Sequence, residues 1–142
     1  REYIDTGLVR YVYCEVTPAT ASGGSSLTAE AARCAGEQGR FWDMNGALYA
    51  ERAVNGAGEL RRIARAIRLD VAEFEGCIAD GTYANDVRRA FESASRLGVT
   101  ATPTFFIGRS GANEAVEAVR IVGIRAIGDF RRAIAAARPA VR

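Results

Sequence analysis

The sequence predicts an α/β protein, because strand-like segments stand on both sides of a long block of helix-like segments. Residues 8–16 are rich in Val and Tyr and end before a proline, a composition typical of a β-strand. Residues 104–107 and 119–124 are β-branched and aromatic, and the turn-forming stretch 109–113 between them predicts an antiparallel hairpin. The predicted order is therefore one strand, several helices, a hairpin and a last helix.

The helices are predicted from apolar spacing and from residues that favour helix ends. Ser26 and Asp70 are candidate N-caps, because a short polar side chain there can accept a hydrogen bond from an orphan backbone amide. Gly81 and Gly98 are candidate C-terminal stops. The predicted helices cover residues 27–37, about 40–48, 59–68, 71–79, 83–97 and 128–137, with a small-residue loop over 19–25 and a turn over 55–58.

Composition excludes several classes of function. The net charge of +2 is too small to indicate a nucleic-acid partner, and the chain has no His, the commonest general base near neutral pH. The three cysteines lack zinc-type spacing, so we expect neither a metal nor another cofactor. The arginines at 61, 62, 65 and 68 could bind phosphate, but apolar residues between them at helical spacing favour a solvated helix face.

Three segments, in order along the chain, resemble the DsbA-like thiol–disulfide oxidoreductases. Residues 97–108 contain Thr-Pro-Thr after a helix-ending glycine and are similar to the family's cis-proline loop. Residues 31–44, with Gly-Glu-Gln-Gly-x-Phe-Trp, resemble the start of the family's inserted helical domain. Residues 120–123, followed by Phe130, are similar to its last strand and final helix.

The resemblance implies a thioredoxin-like fold with an inserted helical domain and with the N-terminal strand missing from this chain. We expect residues 1–25 and 99–142 to form the thioredoxin-like part and residues 26–98 the insertion. The family's C-x-x-C is absent, and Asn45 stands where many relatives carry a His. We therefore interpret Arg1 as a cut end and residues 1–6 as the last turn of the helix that carries the redox-active pair, so this chain contributes no catalytic residue of its own.

In this family the Thr-Pro-Thr loop contacts both the catalytic disulfide and the substrate. The resemblance implies that the Thr102–Pro103 peptide bond is cis and that the Thr102 backbone pairs with an extended substrate strand. A trans proline that merely begins an edge strand is the alternative. The implied partners are extended segments of cysteine-containing proteins and a membrane redox partner, and the implied location is extracytoplasmic.

The cysteines are expected to have structural roles. Cys34 and Cys77 lie on the apolar faces of their predicted helices, where they could be free or, as in some extracytoplasmic relatives, joined by a disulfide. Cys14 is expected to be a buried strand residue. Three aromatic residues are expected in the core: Phe41, Trp42 and Phe91.

Three functions are compatible with the resemblance. The first is formation or isomerisation of disulfides in exported proteins, with the C-x-x-C upstream of this chain. The second is a relative of the kappa-class glutathione transferases, which use bound glutathione on the same fold. The third is a redox-inactive module that binds extended peptides. The residues upstream of this chain would distinguish the three, since a C-x-x-C, a lone Ser or Cys, or neither would be found there.

Overall fold

The computed structural model describes residues 2–17, 24–51, 54, 56–109 and 118–138. These residues form two compact units, Arg1–Ala94 and Ser95–Arg142. The predicted boundaries of an inserted helical domain, residues 26–98, stay a prediction. In the described part of the chain, no helix is both long enough and apolar enough to cross a membrane.

The first unit is built from helices that pack around α1. Five α-helices follow one another: α1 (Gly24–Glu37), α2 (Phe41–Ala50), α3 (Ala57–Ala66), α4 (Val71–Ala79) and α5 (Ala84–Arg96), whose last two residues belong to the second unit. Helix α1 packs against α2, α3 and α4. The helix block predicted from the sequence is therefore confirmed, with ends that differ by at most three residues.

The core of this unit follows from the apolar stripes of its helices. Phe74, Met44 and Leu60 are almost completely buried, and the cysteines of α1 and α4 lie in the same cluster. Burying one large apolar side chain of this kind stabilises a fold by about 1.5–3 kcal/mol. The inward facing predicted for Cys34 and Cys77 is confirmed.

Helix ends follow the predicted signals with one exception. Asp70 caps α4, since its Oδ1 accepts a hydrogen bond from the backbone amide of Glu73 at 3.0 Å. Gly81 and Gly98 have φ values of 60° and 70°, in the left-handed region that favours glycine where a helix ends. The N-cap predicted at Ser26 is wrong: α1 begins at Gly24, and the Ser26 hydroxyl donates to Glu30 within the helix.

The described residues of the second unit form a hairpin and one helix. Strands β1 (Thr104–Gly108) and β2 (Ala118–Val122) pair antiparallel, with Phe105 opposite Ile121, and α6 (Ile127–Ala137) packs on β1. The Phe105 and Phe130 rings meet edge to face, with centroids 4.9 Å apart. The hairpin and last helix are confirmed, while most of the predicted turn over residues 109–113 lies outside the described residues.

The strand predicted over residues 8–16 is wrong as a description of this structure. The segment adopts no regular secondary structure and pairs with no strand among the described residues. Residues 1–6 are expected to be the last turn of a helix, whereas the described residues 2–7 form consecutive turns that end at Gly7. A β-prone segment becomes a strand only when another strand satisfies its backbone amides and carbonyls.

Candidate substrate-binding loop and cysteines

The loop predicted to bind substrate lies between α5 and β1. The Thr102–Pro103 peptide bond is cis, and both residues are exposed. The hydroxyl of Thr104 donates to the carbonyl of Ala101 at 2.6 Å, which closes the loop just before β1 begins. The chain thus presents this dipeptide at the point where the turn becomes a strand.

Two hydrogen bonds from the β2 side hold the ends of this loop. The backbone amide of Gly123 donates to the carbonyl of Pro103 at 2.8 Å. The Arg120 guanidinium donates from Nη1 to the carbonyl of Gly98 at 3.2 Å. The Thr102 backbone makes no hydrogen bond to any other described residue, so its N–H and C=O are available to an added chain.

The three cysteines have two different environments. Cys34 and Cys77 form a disulfide between α1 and α4, with Cα atoms 5.9 Å apart, inside the apolar core. Cys14 is a free, exposed thiol, and its expected burial is wrong. No strand that the structure describes lies beside the segment around Cys14. Among these 142 residues, therefore, no two cysteines form an accessible pair.

An ion pair that sequence reasoning missed anchors the segment beside Cys14. Arg33 of α1 donates from Nη2 to Glu15 Oε2 at 3.2 Å, and Glu15 is only 8% exposed. Glu15 Oε1 and Arg33 Nε are buried without a partner among the described residues. The two residues are 18 positions apart in unrelated segments, so no periodic pattern in the sequence indicates this contact.

Aromatic side chains from the same segment and from α2 form a surface cluster. Trp42, expected in the core, is 55% exposed, while Phe41 lies against the core. The Trp42 ring stands edge-on to Phe41 at 5.1 Å and lies 6.0 Å from Tyr13. Helix α2 can bury only one face, and Met44 occupies that face, which leaves Trp42 outside. Partial burial, a hydrogen bond with the Tyr49 hydroxyl and the nearby Glu15 raise the pKa of Tyr13 well above its usual range.

No group of three or more His, Cys, Asp or Glu side chains in the described part of the chain could hold a metal ion. The Thr102 loop offers its backbone for pairing, and Cys14 offers a free thiol. The loop and the disulfide are the residues that sequence reasoning named, whereas the Glu15–Arg33 ion pair and the exposure of Cys14 are findings of the structure.

A family model described as thioredoxin matches residues 1–122, from the first turn to the end of β2. This chain belongs to that thioredoxin family. The match contains the Thr102–Pro103 loop, the disulfide and the helices between them. Thioredoxin-family membership supports thiol–disulfide redox chemistry as the general class of function, and it does not distinguish the DsbA-like branch from others.

Two curated relatives carry the name of a transporter. The chain is 33% identical over 104 residues to Na(+)/H(+) antiporter NhaA 3 of Salinispora tropica. The aligned stretch covers 73% of this chain and 16% of that protein. The chain is 31% identical over 99 residues to Na(+)/H(+) antiporter NhaA 1 of Salinispora arenicola, which covers 70% of this chain and 15% of that protein. The thioredoxin-family chain thus spans about one sixth of the length of these relatives. No solved structure gives a significant match.

Proposed function

We propose that this chain is the substrate-facing part of a DsbA-like thiol–disulfide oxidoreductase that acts on exported proteins in an extracytoplasmic compartment. The observation that carries the proposal is the exposed Thr102–Pro103 loop, whose Thr102 backbone has no partner among the described residues. Proline has no N–H, so an approaching chain meets one free donor and one free acceptor, both on Thr102. An extended segment of a substrate protein would pair there as an added strand.

The redox-active pair would come from outside these 142 residues. Exchange requires a low-pKa thiolate and a resolving cysteine, whereas here two cysteines are bridged and Cys14 is solitary. A C-x-x-C at a helix N-terminus would supply that thiolate, because unsatisfied amides at the helix end stabilise the negative sulfur. In this proposal a helix upstream of these residues carries the C-x-x-C, and the strand before that helix pairs with residues 8–16. That placement is supported by the lack of a strand partner for residues 8–16 among the described residues and by the exposure of Leu8, Tyr11 and Val12.

An insulin-reduction assay tests the source of the thiolate. The 142-residue chain alone is expected to give no turnover, and a longer chain that includes upstream residues with a C-x-x-C is expected to be active. Turnover by the short chain that disappears in Cys14→Ser would contradict the proposal. A longer chain that has the C-x-x-C, folds and remains inactive would also contradict it.

A peptide titration tests the loop separately from the chemistry. We expect an extended peptide, with its cysteine replaced by serine, to shift the amide resonances of Thr102 and Thr104 when it binds. The matched control is the same peptide with prolines at alternate positions, which removes the N–H groups needed for strand pairing. Equal shifts with both peptides, or shifts confined to α1–α4, would show that the loop is not the binding site.

The antiporter relatives favour a second candidate: the chain is a thioredoxin-family module of a longer membrane transport protein. Its support is that a domain-sized stretch of each relative resembles most of this chain. An antibody against the purified chain should then detect, in source cells, a polypeptide several times longer that sediments with membranes. Detection of a short polypeptide in the soluble extract would exclude this second candidate.

A further inference from the structure

Strand β2 and helix α6 border an open depression of about 560 Å³ in the second unit. Three arginines line it, Arg120 from β2, Arg125 from the connecting turn and Arg132 from α6. The apolar part of the wall comes from β2 and from the first turns of α6. Because both elements belong to one compact unit, the depression is defined without reference to the rest of the chain.

The depression carries excess positive charge. Arg132 forms an ion pair with Asp129, the one acidic residue of the lining. Arg120 donates to a neutral acceptor, the carbonyl of Gly98, and Arg125 has no ion-pair partner among the described residues. Arg125 therefore provides the unpaired positive charge of the lining, because Arg120 stands opposite Phe106 on the sheet face away from α6 and its guanidinium is bonded at Gly98. An anionic group is the chemistry that complements this charge.

Two aliphatic side chains stand on either side of Arg125 in the turn between β2 and α6. Ile124 is 90% exposed and Ile127 is 65% exposed. Ile124 is the most exposed large apolar residue that the structure describes. Exposure of an isoleucine side chain to water is unfavourable, and its transfer to an apolar environment lowers the free energy.

We infer that this turn docks on an anionic lipid surface, with Ile124 and Ile127 in the boundary between headgroups and acyl chains. Arg125 then lies at the level of the lipid phosphates, as in other interfacial protein segments. A lipid surface fits better than an acidic protein segment, because the isoleucines project from a short turn and the depression beside them is open. The inference does not depend on the proposed function.

Co-sedimentation of the 142-residue chain with vesicles tests the inference. The vesicles contain either phosphatidylcholine alone or phosphatidylcholine mixed with phosphatidylglycerol. We expect binding to the anionic vesicles that weakens as salt rises, and little binding to the neutral ones. Ile124→Ser with Ile127→Ser should weaken binding at least about tenfold, and Arg125→Gln roughly fivefold. Matched controls on the first unit, Val12→Ser and Arg65→Gln, should leave binding unchanged.

Several outcomes would overturn the inference. The first is that the wild-type chain does not bind anionic vesicles. The second is that the turn variants and the control variants weaken binding by the same factor. The last outcome concerns soluble polyglutamate as a competitor. If polyglutamate releases the chain from the vesicles when both carry the same total negative charge, and if this effect is lost in Arg125→Gln, the site binds an acidic protein partner instead. Circular dichroism and thermal melts of each variant separate lost binding from lost folding.

Discussion

In the first unit Phe74, Met44 and Leu60 are almost completely buried, whereas Ala133 is the one buried residue that the structure describes in the second unit. Helices α2, α3 and α4 of the first unit pack apolar residues against α1 and close a shared core with a disulfide inside it. In the second unit α6 covers one face of a two-stranded sheet, and Phe106 on the other face remains 44% exposed. Helices that carry their own apolar stripe can complete a core among themselves, while strands require further partners.

The largest expected effect tests whether the helical core is the main source of stability in the first unit. Phe74→Ala should lower the free energy of unfolding by about 3–5 kcal/mol, because it leaves a cavity in a packed core. Urea unfolding followed by fluorescence of Trp42, the only tryptophan of the chain, measures this change. Phe106→Ala, the matched change on the open sheet face, should cost no more than about 0.5 kcal/mol. If Phe74→Ala and Phe106→Ala lowered the unfolding free energy equally, the two units would not differ in how much their apolar side chains stabilise them.

The disulfide should contribute the next largest effect. Cys34 and Cys77 are 43 residues apart, and opening a loop of that length should lower the unfolding free energy by about 2–4 kcal/mol. The measurement is the shift in urea midpoint of a variant with Cys34→Ala and Cys77→Ala. Cys14→Ala is the control and should leave the midpoint unchanged, since that thiol is free and exposed. If Cys14→Ala lowered the urea midpoint more than the double variant does, Cys14 and not the Cys34–Cys77 disulfide would be the cysteine that stabilises the fold.

The Glu15–Arg33 ion pair holds the segment around Glu15 against α1 of the helical unit. Arg33→Met should lower the unfolding free energy by about 2 kcal/mol, because it leaves a buried carboxylate without its cation. This is below the usual loss for a fully buried pair, since the Arg33 side chain is 25% exposed. Arg61→Met, in an exposed ion pair with Glu75, is the control and should have little measurable effect. If the two changes have equal effects, burial of the Glu15 carboxylate is not what makes the pair important.

The smallest expected effect compares the starts of two helices. Helix α4 has a side-chain cap at Asp70, whereas Ala126 precedes α6 in an extended conformation and provides none. Asp70→Ala should destabilise the first unit by about 1 kcal/mol, and Ala126→Ser should stabilise the second by about the same amount. Hydrogen exchange of amides in α4 and α6 measures each change locally. Slower exchange in α4 of Asp70→Ala, or faster exchange in α6 of Ala126→Ser, would contradict the assigned roles of these two residues at the helix starts.

Much of the fold and part of the candidate site could be predicted from local sequence. Apolar spacing predicted each helix, glycines at 81 and 98 marked helix ends, and β-branched residues predicted the hairpin. These features depend on interactions between residues that are close along the chain, so a short window of sequence contains their physical cause. The same holds for the inward facing of Cys34 and Cys77, which follows from their positions on helical stripes.

Only the tertiary structure decided the features that depend on which partners a segment meets. Residues 8–16 have the composition of a strand, yet they lack a neighbouring strand among the described residues, which leaves Cys14 exposed. Trp42 is apolar enough for a core, but the single buried face of α2 is occupied by Met44. The pairing of Glu15 with Arg33 requires the segment around Glu15 to lie against α1, and neither segment alone contains that information. Backbone pairing, side-chain burial and charge pairing over long separations are properties of the assembled chain, so local sequence does not determine them.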